Sequence, residues 1–218
     1  MEFKEFKEIV LKEFPDISQD QLGKFEAMDA LYADWNAKIN VISRKDIGGL
    51  YSHHVLHSLC IASYLRRECP EFHKALLDGA QVLDLGTGGG FPGIPLAIMY
   101  PASQFTLCDS VNKKIIVASA VSEELGLANV QTVNARAESL PKFNFVVSRA
   151  VASLEDFYPW VKGRYTDGIF YLKGGDIAEE IAGMMGRNRM QKGADHTWPV
   201  TRWLEDEYYD GKFVIHID

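Results

Sequence analysis

The sequence predicts an α/β protein: a mostly parallel sheet of seven strands, ending in an antiparallel hairpin and preceded by a helical extension. Three observations carry this reading. Up to Asp78 the apolar residues recur only at helical spacing; from Gly79 short apolar runs alternate with helical stretches; and the final two strand-like runs are joined by a turn. The middle pattern is the sequence sign of a parallel sheet covered by helices on both faces. It places the boundary between a helical extension, residues 1–78, and an α/β domain, residues 79–218.

Taken in order, Phe3, Phe6, Val10 and Phe14 recur at three- and four-residue steps and stop at Pro15, as in a short amphipathic helix. Ser18 followed by Gln21 is a capping-box pattern, after which Leu22, Phe25, Met28, Leu31, Trp35 and Ile39 form the stripe of a longer helix. A third helix is expected after Asp46, running to about Arg67, with Leu50, Val55, Leu59 and Ile61 inward. Strands are expected at residues 81–85, 104–108, 130–134, 143–148 and 169–172, with helices near 92–100, 111–125, 153–161 and 176–185 between them. Two further strands, about 197–204 and 212–217, follow and are linked through Asp210-Gly211.

Composition narrows the class. At 47% hydrophobic and 24% charged, 218 residues bury a sizeable core and form one large domain with an appendage. No window of about 18 apolar residues exists, so no membrane span is expected. The early Glu2, Lys4, Glu5, Lys7 and Glu8 deny the start of the chain the apolar core of a signal peptide, which points to the cytoplasm. Cys60, Cys69 and Cys108 are odd in number and lack CxxC spacing, so neither a disulfide framework nor a metal site is expected from them. A net charge of −7 argues against tight nonspecific binding to a phosphate backbone, because that affinity comes from cations displacing counterions. Only residues 136–192 are net basic, and that stretch is where a polyanion would find a surface.

The most informative segment is Val82-Leu83-Asp84-Leu85-Gly86-Thr87-Gly88-Gly89-Gly90-Phe91-Pro92-Gly93: an apolar strand, a glycine-rich loop, then a proline suited to a first helical turn. Glycines there let a ligand lie against bare main chain. The spacing Gly86-x-Gly88-x-Gly90 departs from the GxGxxG that aims a helix at a pyrophosphate. S-adenosylmethionine has no phosphate; its amino-acid end carries an ammonium, which Asp84 is placed to help hold, and Thr87 belongs to the same cradle. Asp109 ends the next strand, where an acid accepts both ribose hydroxyls of an adenosine cofactor, methyl donor or nicotinamide alike. Ala137 and Glu138, after the third strand, fall where the adenine edge would lie. The final hairpin favours the methyl donor, since a dinucleotide-binding dehydrogenase would continue with parallel crossovers. The fold expected is thus the class I, Rossmann-like one of S-adenosylmethionine-dependent methyltransferases.

At these residues the chain resembles the glucose-inhibited division protein B family, also called RsmG. The matching stretches are Asn40-Val41-Ile42-Ser43, His54-x-x-His57-Ser58, Leu83 through Pro95, Leu107-Cys108-Asp109-Ser110, Ser148 through Leu154 and Leu172-Lys173-Gly174-Gly175. The resemblance implies methyl transfer from S-adenosylmethionine, leaving S-adenosylhomocysteine, to N7 of a guanine in small-subunit (16S) rRNA, free or within a 30S particle. It also implies cofactor contacts at Gly86, Phe91, Ala137, Glu138 and Arg149, a substrate side at His54, Arg149 and Lys173, and no metal. The family often carries an arginine shortly before the first of these histidines and an aspartate where His57 stands; here the run is Tyr51-Ser52-His53-His54.

The chemistry asks little of the side chains. Guanine N7 has a free lone pair and no proton to lose, so no general base is needed and the task is alignment. Arg149 and Lys173 follow the fourth and fifth strands at carboxyl ends, where ligands collect in open α/β sheets, and are the expected catalytic cations. Because N7 must stay free, they would bind O6 or a phosphate. Nothing in the sequence calls for more than a monomer.

Overall fold

The computed structural model describes residues 1–43 and 46–218. Its helical beginning consists of α1 (Phe3–Glu13), α2 (Gln19–Lys38), α3 (His57–Glu68) and α4 (Pro70–Asp78). Ser18 and Gln21 form the reciprocal capping box. A 3₁₀ turn at Ile47–Gly49 and a π-helical turn at Leu50–Leu56 lead without a break into α3. Helix α4, not separately expected, begins with Pro70 in its first turn and stops at Gly79, whose φ of 114° no other residue adopts cheaply.

The remainder alternates β1 (Gln81–Leu85), α5 (Gly93–Met99), β2 (Gln104–Asp109), α6 (Asn112–Glu124), β3 (Val130–Asn134), β4 (Phe143–Arg149), α7 (Leu154–Val161), β5 (Tyr165–Gly174), α8 (Ala178–Asn188), β6 (Asp195–Pro199) and β7 (Lys212–Ile217). The seven strands lie in the order β3-β2-β1-β4-β5-β7-β6, parallel except for β7, which runs antiparallel between β5 and β6. Two strands differ from expectation. β5 is longer because its pairing with β4 begins at Tyr165 and resumes at Gly168 after a register shift across Thr166 and Asp167, which break the apolar run, and because it continues to Gly174 against β7. β6 stops at Pro199, which has no N–H to continue a ladder, and Val200–Arg202 turns instead.

Strand residues alternate between two cores. Val82, Phe105, Phe145 and Phe170 face Phe6, Phe25, Leu59, Ile94 and Val121, so the helical beginning shares one continuous apolar layer with α5, α6 and the sheet. Leu83, Val146, Ile169 and Tyr171 face Leu154, Phe157 and Met184 of α7 and α8. Both faces of the sheet are thereby covered, and the carboxyl ends of β1 to β4 border a cavity.

Candidate cofactor and substrate site

A cavity of about 570 Å³ opens at the carboxyl ends of β1, β2, β3 and β4. Gly86, Asp109, Ala137, Glu138 and Arg149 line it, together with Ser110, Lys114, Ala150, Val151 and Trp160. That volume is in the range of cavities that enclose nucleoside-sized ligands.

The glycine loop is pinned at both ends. The Gly86 and Thr87 N–H groups donate to the Cys108 carbonyl at 2.8 and 3.0 Å, tying the loop to the end of β2. Asp84 Oδ2 accepts the Thr87 hydroxyl at 2.6 Å and the Gly93 N–H at 2.8 Å, while Asp84 Oδ1 is buried with no partner. Burial pushes the Asp84 carboxyl up to about 7. Gly93 has to be glycine, since a Cβ would stand 2.2 Å from Leu107 and 2.6 Å from Asp84 Oδ2. Gly86 lines the cavity at φ 72° with Val151 directly across from it.

Asp109 is 6% exposed, and its two carboxylate oxygens accept the Gly88 N–H at 3.1 Å and the Val111 N–H at 2.9 Å, with Lys114 Nζ at 3.6 Å. A carboxylate oxygen has two lone pairs, so each retains acceptor capacity beyond these bonds. Of the other expected cofactor residues, Thr87, Gly90 and Phe91 lie beneath the loop. Thr87 spends its hydroxyl on Asp84. Gly90 is required by packing, because a Cβ there would strike Ile94 and the Tyr32 hydroxyl. Phe91 is 4% exposed and carries the Arg149 guanidinium over its ring at 5.3 Å. At Gly88 a Cβ would meet open space.

Arg149 ties the end of β4 to the helical beginning of the chain. Its guanidinium donates to the His53 carbonyl at 3.2 Å and to His54 Nδ1 at 2.9 Å, and His54 Nε2 in turn lies 2.6 Å from Asp46 Oδ2. Because an arginine can only donate, Nδ1 must be the accepting nitrogen and Nε2 carries the proton toward Asp46. Burial, then the nearby Arg149 charge, pulls His54 down to about 4, which keeps it neutral. Burial works to raise Asp46, but its contacts with His53 and His54 outweigh it and hold the carboxyl below its usual value. His53 also pairs with Asp46 and stacks on Tyr208 at 3.7 Å. His54 thus reaches the cavity only through Arg149.

Lys173 is placed differently from expectation. Its ammonium is bound to Glu180 at 2.7 Å and to the Ala152 carbonyl at 3.0 Å, and Lys173 does not itself line the cavity. Glu180 also accepts the Leu154 N–H at 2.9 Å. The pair therefore clamps the segment after β4. Three residues that sequence reasoning did not single out help to shape the site. Tyr171 accepts the N–H groups of Val151 and Ala152 at 2.9 and 3.1 Å. Ala150, which lines the cavity, has a φ of 48°, a costly backbone for a residue with a Cβ. Tyr32, on α2, donates to the Gly89 carbonyl at 2.7 Å and so holds the loop from the helical side.

A sheet of this order, a glycine cradle at the end of β1 and an acid at the end of β2 define the class of S-adenosylmethionine-dependent methyltransferases. The same fold is found in magnesium protoporphyrin IX methyltransferase from Synechocystis, solved with the cofactor bound (TM-score 0.60, 12% identity, 93% of this chain and 98% of that one). It is found also in the ribosomal protein L11 methylase of Lactobacillus delbrueckii subsp. bulgaricus (TM-score 0.54, 15% identity, 73% and 76% covered). Residues 21–203 match the family described as rRNA small subunit methyltransferase G. Proteins of that name from Porphyromonas gingivalis and Flavobacterium psychrophilum are 46% and 45% identical, each over 96% of this chain and 92% and 97% of their own lengths. The chain belongs to the rRNA small subunit methyltransferase G family and is an S-adenosylmethionine-dependent enzyme.

Proposed function

We propose that the protein methylates N7 of a guanine in small-subunit rRNA, with its cofactor in the cavity bounded by Gly86, Asp109, Ala137, Glu138 and Arg149. The observation that carries this is that cavity: bare main chain, a carboxylate and a buried guanidinium converge at the carboxyl ends of four neighbouring strands. The residues fit the cofactor. Gly86 offers a side with no Cβ, Asp109 has lone pairs for ribose hydroxyls, Glu138 and the main chain at Ala137 stand where an adenine edge would lie, and Asp84 has an unpaired buried oxygen beside the loop. When bound, S-adenosylmethionine supplies an electrophilic methyl group on a sulfonium.

The chain's task is then to orient the purine. Arg149 is fixed by His53, His54 and Phe91, so its charge is delivered in one direction. It stands where it can hold guanine O6 or the adjacent phosphate and leave N7 free. Alignment of this kind can supply about 7–11 kcal/mol of a barrier. Lys173, paired with Glu180, serves by clamping the 150–154 segment. Among the described residues no helix is long and apolar enough to cross a membrane. Ribosomal RNA as substrate supports a cytoplasmic location.

The test is methylation of small-subunit rRNA taken from cells lacking the protein, offered both naked and as 30S particles, followed by mass mapping. One guanine should gain a methyl group at N7 in at least one form. Methylation at another atom or base, or on neither substrate, would overturn the reading.

A further inference from the structure

At the opposite edge of the sheet from the cofactor cavity, the β6–β7 hairpin gathers three ligating side chains. His196 and His216 are direct partners across the antiparallel pair, and Asp218 follows His216 by two residues. Their ligand atoms all lie within 4.8 Å of one another. Asp218 sits between the imidazoles, Oδ2 at 3.3 Å from His196 Nε2 and Oδ1 at 3.2 Å from His216 Nε2.

His216 is the informative member. It is 3% exposed, yet its Nε2 makes no hydrogen bond, because the approach of Asp218 has the distance of an ion pair without the directionality. Its ring is locked against Phe170 at 4.8 Å and Phe72 at 5.7 Å, and Nδ1 lies 3.0 Å from the Tyr64 hydroxyl. Gly168 keeps space open beside the unpaired nitrogen, since a Cβ there would come within 3.1 Å of it. A buried, oriented and unpaired imidazole nitrogen facing a carboxylate and a second imidazole is incomplete as it stands.

We propose that His196, His216 and Asp218 bind a divalent transition ion of the zinc type, with the fourth position left to water. Tetrahedral bonds of about 2.0–2.1 Å put neighbouring ligand atoms about 3.3–3.4 Å apart. Asp218 approaches each imidazole to about that distance through a different oxygen, and with one ligand atom taken from each residue the set lies within 4.8 Å, so the half-exposed side chains of His196 and Asp218 have only a short way to turn to close on one ion. Two imidazoles and one carboxylate suit zinc, whereas magnesium and calcium prefer oxygen ligands throughout. With the ion on Nε2, Nδ1 carries the ring proton and donates it to Tyr64, the outer contact that orients a metal-bound histidine. The spacing of the cysteines could not reveal such a site, because its ligands meet across a hairpin. The ion would fasten β6 to β7 and take no part in methyl transfer.

The experiment is titration of zinc chloride into tag-free, metal-free full-length protein, followed by calorimetry and thermal denaturation, with magnesium chloride as control. One zinc per chain should bind and raise Tm; cobalt(II) should show the intense visible bands of a four-coordinate site. His196→Ala and Asp218→Asn change side chains that are each 52% exposed, so the fold should persist and methyl transfer should be unaltered. Each should weaken zinc binding by at least ~10-fold. The proposal falls if zinc does not bind, if magnesium raises Tm equally, or if neither substitution changes zinc affinity.

Discussion

Gly86→Ala isolates the cradle. Residue 86 sits at φ 72°, and a Cβ there would lie 2.4 Å from Val151 Cγ2. The left-handed backbone costs a residue with a Cβ about 1–2 kcal/mol. The overlap is softer, because Val151 is 38% exposed and its side chain can turn aside, at about 0.5–1.5 kcal/mol for a displaced rotamer. A total loss of about 1.5–3.5 kcal/mol in urea unfolding is expected, within the range of defined single-site defects. Because the turned Val151 side chain and the new methyl both border the cavity, S-adenosylhomocysteine should bind more weakly by calorimetry. Gly86→Ala with Val151→Ala should recover the overlap and retain the backbone cost. A single variant with wild-type stability and affinity would refute the cradle.

Other changes probe the same loop and its neighbours. Asp84 has its carboxyl pushed up to about 7 when folded, against an ordinary value near 3.8, so folding binds a proton and its contribution to stability is complete below about pH 4 and is lost as pH rises through 7. Asp84→Asn should flatten the fall in stability between those limits; an unchanged slope would exclude Asp84 as its source. Asp109→Ala should weaken S-adenosylhomocysteine binding by about 1–3 kcal/mol, the worth of hydrogen bonds to a charged group, and an unaltered Kd would remove Asp109 from the site. Arg149→Lys cannot reach the His53 carbonyl and His54 Nδ1 together, so kcat/KM on rRNA should fall at least ~10-fold; full activity would show that only charge matters. If Lys173 acts through Glu180, Lys173→Met and Glu180→Gln should lower methylation alike, whereas a defect confined to Lys173→Met and seen in KM would return it to the substrate.

The parts of the site legible in the sequence were those set by local rules. A strand running into glycines, and an acid or arginine closing a strand, are visible because period and punctuation are properties of neighbouring residues. Hence Gly86, Asp109, Ala137, Glu138 and Arg149 were found together. What the sequence hid depends on partners far along the chain. Tyr32 on α2 reads as one more core aromatic, and only the packed structure brings its hydroxyl to Gly89. Lys173 at a strand end looks like a ligand, and only the docking of α8 supplies Glu180 to neutralise it. The positive φ of Ala150 has no sequence sign, since alanine gives no warning of it. Helix α4 was obscured because apolar spacing continues across the break at Cys69-Pro70.

The strand order has an implication for biogenesis. β6 leaves the translating machinery before β7, yet among the described residues it reaches the sheet only by pairing with β7, which intervenes between it and β5. β6 therefore has no partner in the sheet until β7 has been made. Pairing of β7 with β5 on one side and β6 on the other is what finishes this edge of the sheet.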